Sequence, residues 1–408
     1  MAKKTLDKLP MKGKRVLMRV DFNVPLDENG NVTDDRRIRA ALPSIVCALD
    51  AGARLILVSH LGRPKGARDE KLSLRPAAER LARLLERPVA FATDCIGPEA
   101  EKSVERLKPG EALVLENLRF HKGEEKNDPK FAEALRKLAD LYVNDAFGTA
   151  HRKHASTYGV PSLMPKGTRA VGFLVRKELK FLGEAVQKPD RPFVAILGGV
   201  KVSDKIAVIE HLLTKVDRLL IGGAMAYVFM VARGQTVGKS RVEREKEEKD
   251  GSKTDVIALA KRLLGKIETS KAEVLFPVDH LVARQPAADA DTDVQGPEIQ
   301  DGWIGVDIGP ETAQLYRERI TDAKTALWNG PMGIFEMAPF AEGTRVVCEA
   351  MAQVDEHGTA VVGGGDTAAA VEKFGLADEM THISTGGGAS LEFLEGKPFE
   401  TIEILDDA

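Results

Sequence analysis

The feature that most constrains the fold is a repeated alternation of apolar runs, polar loops and amphipathic segments along the whole chain. Runs such as 54–58 (RLILV) and 193–197 (FVAIL) are typical of buried strands, and segments such as 74–86 have helical spacing. Alternating strands and helices favour parallel sheets in an α/β fold. Because 408 residues are enough for two sizeable cores, we predict two doubly wound, Rossmann-like parallel-sheet domains.

The boundary between the domains is predicted near the middle of the chain. Residues 171–187 have the apolar spacing of a helix, and the proline-rich segment 188–192 (KPDRP) ends it. Strand and helix alternation then begins again. We therefore predict an N-terminal domain over 1–170, a connecting helix over 171–187 and a C-terminal domain over 188–390.

Polar side chains follow the strands of the first half, at the point where each strand ends. In parallel sheets, ligands bind at the carboxyl ends of the strands. Four arginines at such an edge favour a multiply anionic small molecule, because guanidinium groups match carboxylate and phosphate. Each residue alone has a structural explanation, such as a surface ion pair or a turn cap, so the prediction depends on their recurrence. The candidates are Asp21, Asn23, Arg37, His60, Arg63, Arg119 and Arg152.

The second half has glycine-rich turns at the predicted strand ends, which favour a flat ligand that carries phosphates. In 359–375 a strand leads through three glycines into Asp366 and a helix. Free N–H groups at a helix start favour phosphate, and a carboxylate there suits phosphate-bound Mg²⁺. Taken alone, this stretch is equally consistent with an ordinary turn capped by aspartate. Lys201 and Lys205 are either phosphate ligands or solvated helix lysines.

Composition excludes several other classes of protein. The net charge is −3 and only 5% of residues are aromatic, so a nucleic-acid or membrane partner is not expected. Cys47, Cys95 and Cys348 are widely spaced and form neither a zinc motif nor a disulfide framework, which fits a reducing cytosol. Without a visible signal peptide or membrane-length apolar run, we expect a cytoplasmic protein. Residues 239–256 are predicted to be a solvated helix end and loop, and residues 284–295 a surface loop.

Nine motifs in this order resemble the phosphoglycerate kinase family, and they cover nearly the whole chain. The match is carried by many specific segments rather than by a single short pattern. They are RVDFNVP (19–25), RIRAA (37–41), SHLGRP (59–64), ENLRF (116–120), NDAFGTAHR (144–152), GGVKVSDK (198–205), WNGPMGIFE (328–336), GGGDT (363–367) and STGGGAS (384–390).

The resemblance implies reversible phosphoryl transfer between ATP and the carboxylate of 3-phosphoglycerate, which yields 1,3-bisphosphoglycerate and ADP. It implies that 3-phosphoglycerate is held by Asp21, Asn23, Arg37, His60, Leu61, Gly62, Arg63, Arg119 and Arg152. It also implies a Mg–nucleotide site in the second domain, with Asp366 as the main metal contact. That site comprises Gly199, Lys205, Gly222, Gly223, Gly305, Asn329, Glu336, Gly364, Gly365, Asp366 and Thr367.

The chemistry of this reaction is consistent with the proposed roles. The acceptor carboxylate is already ionised at neutral pH, so no general base is needed, and transfer depends on positioning and charge neutralisation. The groups expected to stabilise the moving phosphoryl group are Arg37, Lys201, Lys205, Gly387 and Gly388. The resemblance further implies closure about the 171–187 helix, a segment 391–408 that returns to the first domain, and a monomer.

Two alternatives remain open from the residues. The GGGDTA stretch is also compatible with a nicotinamide-dependent oxidoreductase, and the fold alone does not exclude a non-catalytic nucleotide-binding protein. One position departs from the family: Val200 stands where a smaller residue is expected, and its side chain is predicted to crowd the nucleotide pocket.

Overall fold

A computed structural model describes residues 2–248 and 250–408, which form two compact units. The first unit extends to Leu179 and includes Pro398–Ala408, and the second is Lys180–Lys397. Residue 1 of the predicted first domain and residue 249 of the charged segment lie outside the described residues.

The first unit is built on a six-stranded parallel sheet with the strand order β3-β4-β2-β1-β5-β6. Its strands are β1 (Arg15–Val20), β2 (Arg54–Val58), β3 (Val89–Ala92), β4 (Ala112–Leu115), β5 (Leu141–Asp145) and β6 (Arg169–Val171). Its helices before the unit boundary are α1 (Arg36–Asp50), α2 (Arg75–Leu85), α3 (Gly97–Arg106), α4 (Pro129–Lys137), α5 (Val160–Ser162) and α6 (Phe173–Glu178).

Alternate residues of the central strand β1 pack one face of the first sheet against helix α1. Val16, Met18 and Val20 of β1 belong to one apolar cluster with Ile38 and Ile45 of α1, and all five are fully buried. Burying aliphatic side chains of this size contributes about 1.5–3 kcal/mol each. This packing fixes α1, and with it Arg37, beside the carboxyl end of β1.

The second unit has its own six-stranded parallel sheet, in the order β11-β8-β7-β15-β16-β17. The strands of this unit are β7 (Phe193–Leu197), β8 (Arg218–Ile221), β9 (Glu245–Glu247), β10 (Lys253–Asp255), β11 (Glu273–Leu275), β12 (His280–Ala283), β13 (Thr292–Gln295), β14 (Ile304–Ile308), β15 (Thr325–Asn329), β16 (Thr359–Gly363) and β17 (His382–Ile383). The helices are α7 (Ala185–Gln187), α8 (Ile206–Leu212), α9 (Met225–Ala232), α10 (Val256–Thr269), α11 (Pro310–Ile320), α12 (Glu342–Asp355), α13 (Gly365–Lys373) and α14 (Gly388–Leu394). The prediction of two parallel-sheet α/β domains is confirmed.

Two loop predictions in the second unit are wrong. The charged segment 239–256 contains the antiparallel pair β9 and β10, which a 2.8 Å ion pair between Lys253 and Glu245 joins across the strands. Residues 284–295 include β13, which belongs to a three-stranded antiparallel sheet with β12 and β14. Both segments are mostly exposed, so they lack the apolar alternation that identifies a strand in a sequence.

The connecting segment is helical but not uniform. After α6, residues Leu179–Glu184 form a π-helix, and α7 follows. The boundary between the two units lies within this π-helix. Wider turns of this kind interrupt the regular hydrogen-bond pattern of an α-helix.

The end of the chain belongs to the first unit and contains the short helix α15 (Glu400–Glu403). Asp406 forms an ion pair with Arg169, with 2.9 Å between Oδ1 and Nη2, and both side chains are largely buried. Thr401 donates a hydrogen bond to the carbonyl of Ala150. These contacts attach the segment to the sheet through residues far away in the sequence.

Candidate active site

The predicted substrate residues of the first unit follow four strands that are neighbours in its sheet. Asp21 and Asn23 come after β1, His60 after β2, Arg119 after β4 and Arg152 after β5. The sheet order places these strands side by side as β4-β2-β1-β5, and all of them are parallel. The loops therefore lie at the same edge of the sheet.

Hydrogen bonds join three of these loops and the start of α1. Arg37 donates to the carbonyl of Asn23 at 2.9 Å and lies 3.3 Å from Oδ2 of Asp21. Oδ1 of Asn23 accepts a hydrogen bond from the N–H of Gly62 at 2.9 Å, and Arg119 donates to the carbonyl of Gly62 at 2.8 Å. The structure thus brings these five predicted residues into one connected group.

Arg119 is the most deeply placed of the predicted arginines, with a relative exposure of 4%. Nε lies 3.2 Å from the carboxylate of Glu125, whereas Nη2 is buried with no hydrogen-bond partner among the described residues. Burial lowers the pKa of this guanidinium, and the nearby charges of Arg19 and Arg152 lower it further. A buried donor without a partner is costly, so this group is suited to an anionic ligand.

His60 is buried in the same group and is uncharged near neutral pH. Nδ1 lies 3.1 Å from Nη2 of Arg19 and 3.9 Å from Oδ1 of Asp21. Burial, followed by the charges of Arg19 and Arg119, holds the pKa of His60 well below its usual value. The imidazole is therefore neutral at pH 7 and contributes hydrogen bonding rather than charge. Leu61 follows it, and its N–H donates to Asn117 at 3.3 Å.

The remaining two predicted arginines are more loosely held. Arg63 and Arg152 are both exposed, and Nε of Arg152 contacts Nε2 of His151 at 2.8 Å. Their long side chains retain rotational freedom that would be lost when a ligand binds.

A buried network beneath this edge is missing from the predicted site. Arg19 in β1 is 1% exposed, and its Nε donates to Oγ of Ser156 at 3.0 Å. The fully buried Glu124 accepts hydrogen bonds from the N–H of Ser156 at 3.0 Å and from Oγ at 2.5 Å. This network connects His60 to Glu124. The sequence contains a signal for this network, because Arg19 is a charged residue within the apolar run 16–20 (VLMRV).

In the second unit, backbone groups rather than charged side chains define the strand ends. Gly199 donates its N–H to the carbonyl of Pro331 at 2.8 Å and accepts from the N–H of Met225 at 2.9 Å. Gly223 has a φ of +65°, and a Cβ there would lie 2.5 Å from the nitrogen of Gly199. Gly222 donates to Leu197 at 2.8 Å. Only glycine permits these turns to approach so closely.

The turn before α13 has the features of the predicted phosphate and metal site. Gly364 has a φ of +91° and precedes the helix, and Asp366 is exposed in its first turn. Thr367 is buried and accepts the N–H of Gly330 at 2.7 Å. Asn329 is 3% exposed, and its Nδ2 is buried with no partner in the described part of the chain. An exposed carboxylate beside free helix N–H groups fits a phosphate-bound Mg²⁺ ion.

The two predicted lysines differ in their environments. Lys205 is 9% exposed, and burial lowers its pKa, although the carboxylates of Asp204 and Asp366 oppose this effect. Its Nζ would lie 3.5 Å from a Cβ at Gly199, so it borders the glycine turn. Lys201 is exposed.

The other predicted nucleotide residues are spread over several elements of the unit. Gly305 lies within β14 of the antiparallel sheet, where its N–H donates to Ser240 at 2.9 Å. Glu336 is exposed, and its carbonyl accepts from Lys373 at 2.9 Å. Gly387 has a φ of +53° directly before α14, whose first residue is Gly388. Val200 has 40% of its surface exposed, so it is not packed into the unit.

An arginine-rich sheet edge in one unit and a glycine-lined sheet edge in the other are the features expected of a two-domain α/β phosphotransferase. A family model described as phosphoglycerate kinase matches residues 6–397. The chain therefore belongs to the phosphoglycerate kinase family.

Individual relatives and solved structures agree with this assignment. The chain is 54% identical over 409 residues to a phosphoglycerate kinase of Anaeromyxobacter sp. (strain Fw109-5), and 55% identical over 409 residues to one of Chlorobium limicola. Both alignments cover 100% of each chain. The fold is similar to phosphoglycerate kinase from Coxiella burnetii, with a TM-score of 0.84, 38% identity and 98% of each chain covered. The corresponding values for the Pyrococcus horikoshii structure are 0.83, 32% and 98%.

The predicted activity is confirmed at this level. The chain is a kinase of glycolysis, and its reaction is the reversible phosphoryl transfer of its family. None of the helices in the described residues is both long and apolar enough to cross a membrane.

Proposed function

We propose that the sheet edge of the first unit binds 3-phosphoglycerate through the residues predicted above. The observation that carries this proposal is Nη2 of Arg119, a buried cationic donor with no partner among the described residues, in a group that also contains Arg37. An oxygen of the substrate would satisfy this donor. Because Gly62 and Asn23 connect Arg119 to Arg37, binding at one arginine also orders the other.

The second ligand of the proposal is a magnesium complex of ATP or ADP in the second unit. Gly199, Gly222 and Gly223 would border the adenosine, and Gly364 to Thr367 would bind the phosphates. Asp366 would be the main protein ligand of Mg²⁺, which when bound supplies positive charge to the phosphate oxygens. Nδ2 of Asn329 lies beside this turn as an additional free donor.

In the transfer step, the proposed residues position the substrates and neutralise negative charge. They do not exchange protons with the substrates. The substrate carboxylate attacks the terminal phosphorus of ATP in line, and the bond to the leaving oxygen of ADP breaks. Arg37, Lys201 and Lys205 would stabilise the negative oxygens of the moving group, together with the N–H groups of Gly387 and Gly388. Loss of one such donor typically costs about 3 kcal/mol in the barrier.

Transfer requires the two ligands to meet, so the proposal includes motion about the predicted connecting helix 171–187, which is helical from Phe173 onward. The change from α-helix to π-helix at Leu179 supports this choice, because such irregular turns are common at functional positions. We further propose that the protein acts as a monomer in the cytoplasm and does not bind nucleic acid.

A coupled assay tests the reaction directly. The purified protein receives 3-phosphoglycerate, ATP and Mg²⁺, and glyceraldehyde-3-phosphate dehydrogenase reports the product through oxidation of NADH. We expect a rate that needs the protein, ATP, Mg²⁺ and 3-phosphoglycerate together. Binding of Mg–ADP without turnover would instead support a non-catalytic nucleotide-binding protein.

A further inference from the structure

A side-chain cluster outside the proposed active site combines three different metal-ligand chemistries. A carboxylate oxygen of Asp94, Sγ of Cys95 and a ring nitrogen of His121 all lie within 4.8 Å of one another. Asp94 and Cys95 follow β3, and His121 follows β4 after the short turn Leu118–Phe120. The two strands are parallel neighbours, paired at Ala92 and Leu115, so the ligands meet at one edge of the sheet.

We propose that Asp94, Cys95 and His121 form a binding site for a divalent transition-metal ion of the zinc class. Sulfur, imidazole and carboxylate ligands together favour zinc and its neighbours over magnesium or calcium, which prefer oxygen alone. Three protein ligands leave a fourth position for water or an anion.

The geometry needs only small side-chain movements. In a tetrahedral site with bonds of about 2.0–2.3 Å, the ligand atoms lie roughly 3.3–3.8 Å apart. Nε2 of His121 is already 2.7 Å from Oδ1 of Asp94, and the thiol is within the 4.8 Å limit. A metal ion would separate the first pair slightly and draw the sulfur inward.

The surroundings of the thiol also favour a cation. Cys95 is fully buried, and its N–H donates to Oδ1 of Asp94 at 2.6 Å, so the thiol and this carboxylate are held close together. The negative charge of the Asp94 carboxylate attracts a metal ion. On binding, the thiol loses its proton to solvent as the metal–sulfur bond forms, and the imidazole keeps its proton on Nδ1 while Nε2 donates a lone pair. Thiolate and carboxylate together cancel the charge of the dication, so the complex is neutral when water is its fourth ligand.

A cavity of about 460 Å³ is lined by His121, so the imidazole side of the cluster faces open space. Lys122, Lys126 and Lys130 also line this cavity. These lysines favour an anion, such as chloride or a carboxylate, as the fourth ligand of the metal.

Titration of the full chain with Co²⁺ alone tests the site by absorption spectroscopy. We expect a thiolate-to-cobalt charge-transfer band in the near ultraviolet, which saturates at one ion per chain and is displaced by Zn²⁺. The band should persist in excess Mg²⁺. A wild-type protein without this band, or one in which Mg²⁺ removes it, would overturn the proposal.

Substitution of each of the three residues tests whether its side chain is a ligand of the metal ion. Cys95→Ser should abolish the band, and His121→Ala and Asp94→Asn should each weaken cobalt binding by at least tenfold. Cys348→Ser and Cys47→Ser are matched controls, since both thiols are free and lie outside the cluster. Because Cys95 is buried, thermal unfolding without metal checks that each variant is folded, and the half-buried His121 provides a second, less disruptive change. A band that survives His121→Ala and Cys95→Ser but disappears in Cys47→Ser would contradict the assignment.

Discussion

The two units use the same edge of the same kind of sheet, but they build it from different chemistry. In the first unit, charged side chains such as Arg37 and Arg119 fill the edge, and a buried network that contains Arg19 and Glu124 supports them. In the second unit, glycine turns such as those at Gly199 and Gly223 bring backbone groups close together at the edge, and Lys205 borders them. Side-chain charge suits a compact anion, whereas close backbone approach suits a large, flat ligand that carries phosphates.

The largest effect that tests this difference is expected from Arg37→Ala. It should lower kcat about a hundredfold, because loss of the guanidinium raises the activation free energy by about 3 kcal/mol. Affinity for Mg–ADP, measured by calorimetry, should be unchanged, since Arg37 lies in the other unit. Arg39→Ala is the matched control, because that arginine lies on the same helix and pairs with Asp35. An equal loss of turnover and nucleotide affinity would show that the two edges do not act separately.

Gly364→Ala is the complementary test, because it alters the backbone of the second unit. The φ of +91° is unfavourable for any residue with a Cβ, and the new atom would lie 3.2 Å from Nδ2 of Asn329. Relief of this strain, about 1–2 kcal/mol, would shift the turn in the free protein, and restoring the turn on binding would weaken the affinity for Mg–ADP roughly tenfold. Binding of 3-phosphoglycerate should be unaffected.

Gly265→Ala is the control for that variant. Gly265 lies within α10, its φ is not positive, and a Cβ there meets no atom within 4 Å. The control should leave nucleotide affinity unchanged. If Gly364→Ala behaves in the same way, the glycine turn is not needed for close approach of the phosphates.

Each unit contains a buried carboxyl group, and these groups should make the stability of both units depend on pH in the same direction. Burial raises the pKa of Asp145 in the first unit to about 7 and that of Asp307 in the second to about 8. In the unfolded chain both groups ionise near their usual value of 3.8. The folded state therefore retains protons that the unfolded state releases, and the free energy of unfolding falls as pH rises from about 4 to 7 or 8.

Each carboxyl should contribute a slope of at most about 1.4 kcal/mol per pH unit. Asp145→Asn and Asp307→Asn should each flatten the dependence, which denaturant unfolding at several pH values between 4 and 8 would measure. If the slope is unchanged in both variants, these two carboxyl groups have ordinary pKa values in the folded protein.

The smallest effect is expected at Val200. Because its side chain is 40% exposed, Val200→Ala should change Mg–ADP affinity by less than about twofold, as surface substitutions usually do. A tenfold gain in affinity, measured by calorimetry, would instead support the predicted crowding of the nucleotide pocket.

The parallel sheets and their polar edges were predictable because the buried strands are continuous apolar runs. Segments such as 54–58 and 193–197 match β2 and β7 in every residue. The pair of β9 and β10 was not predictable, since its short charged strands have no apolar face. It depends on cross-strand pairing that periodicity does not reveal.

Within the candidate site, the residues at the sheet edge were easier to identify from the sequence than the buried residues that support them. Asn23 and Arg119 follow strand ends and Arg37 begins α1, so the sequence pattern indicates all three. Glu124 and Ser156 can be recognised only once the fold places them near Arg19. The proposed metal cluster is a similar case. Its cysteine and histidine are far apart in sequence and are joined only by the pairing of β3 with β4.

The attachment of Pro398–Ala408 to the first unit has a consequence for how the chain folds as it is made. The second unit, Lys180–Lys397, is continuous, so all of its residues are available before the contacts of Thr401 with Ala150 and of Asp406 with Arg169 can form. Those contacts span more than 230 residues and carry a large loop-closure entropy. On a ribosome, the unit that begins first is therefore completed last.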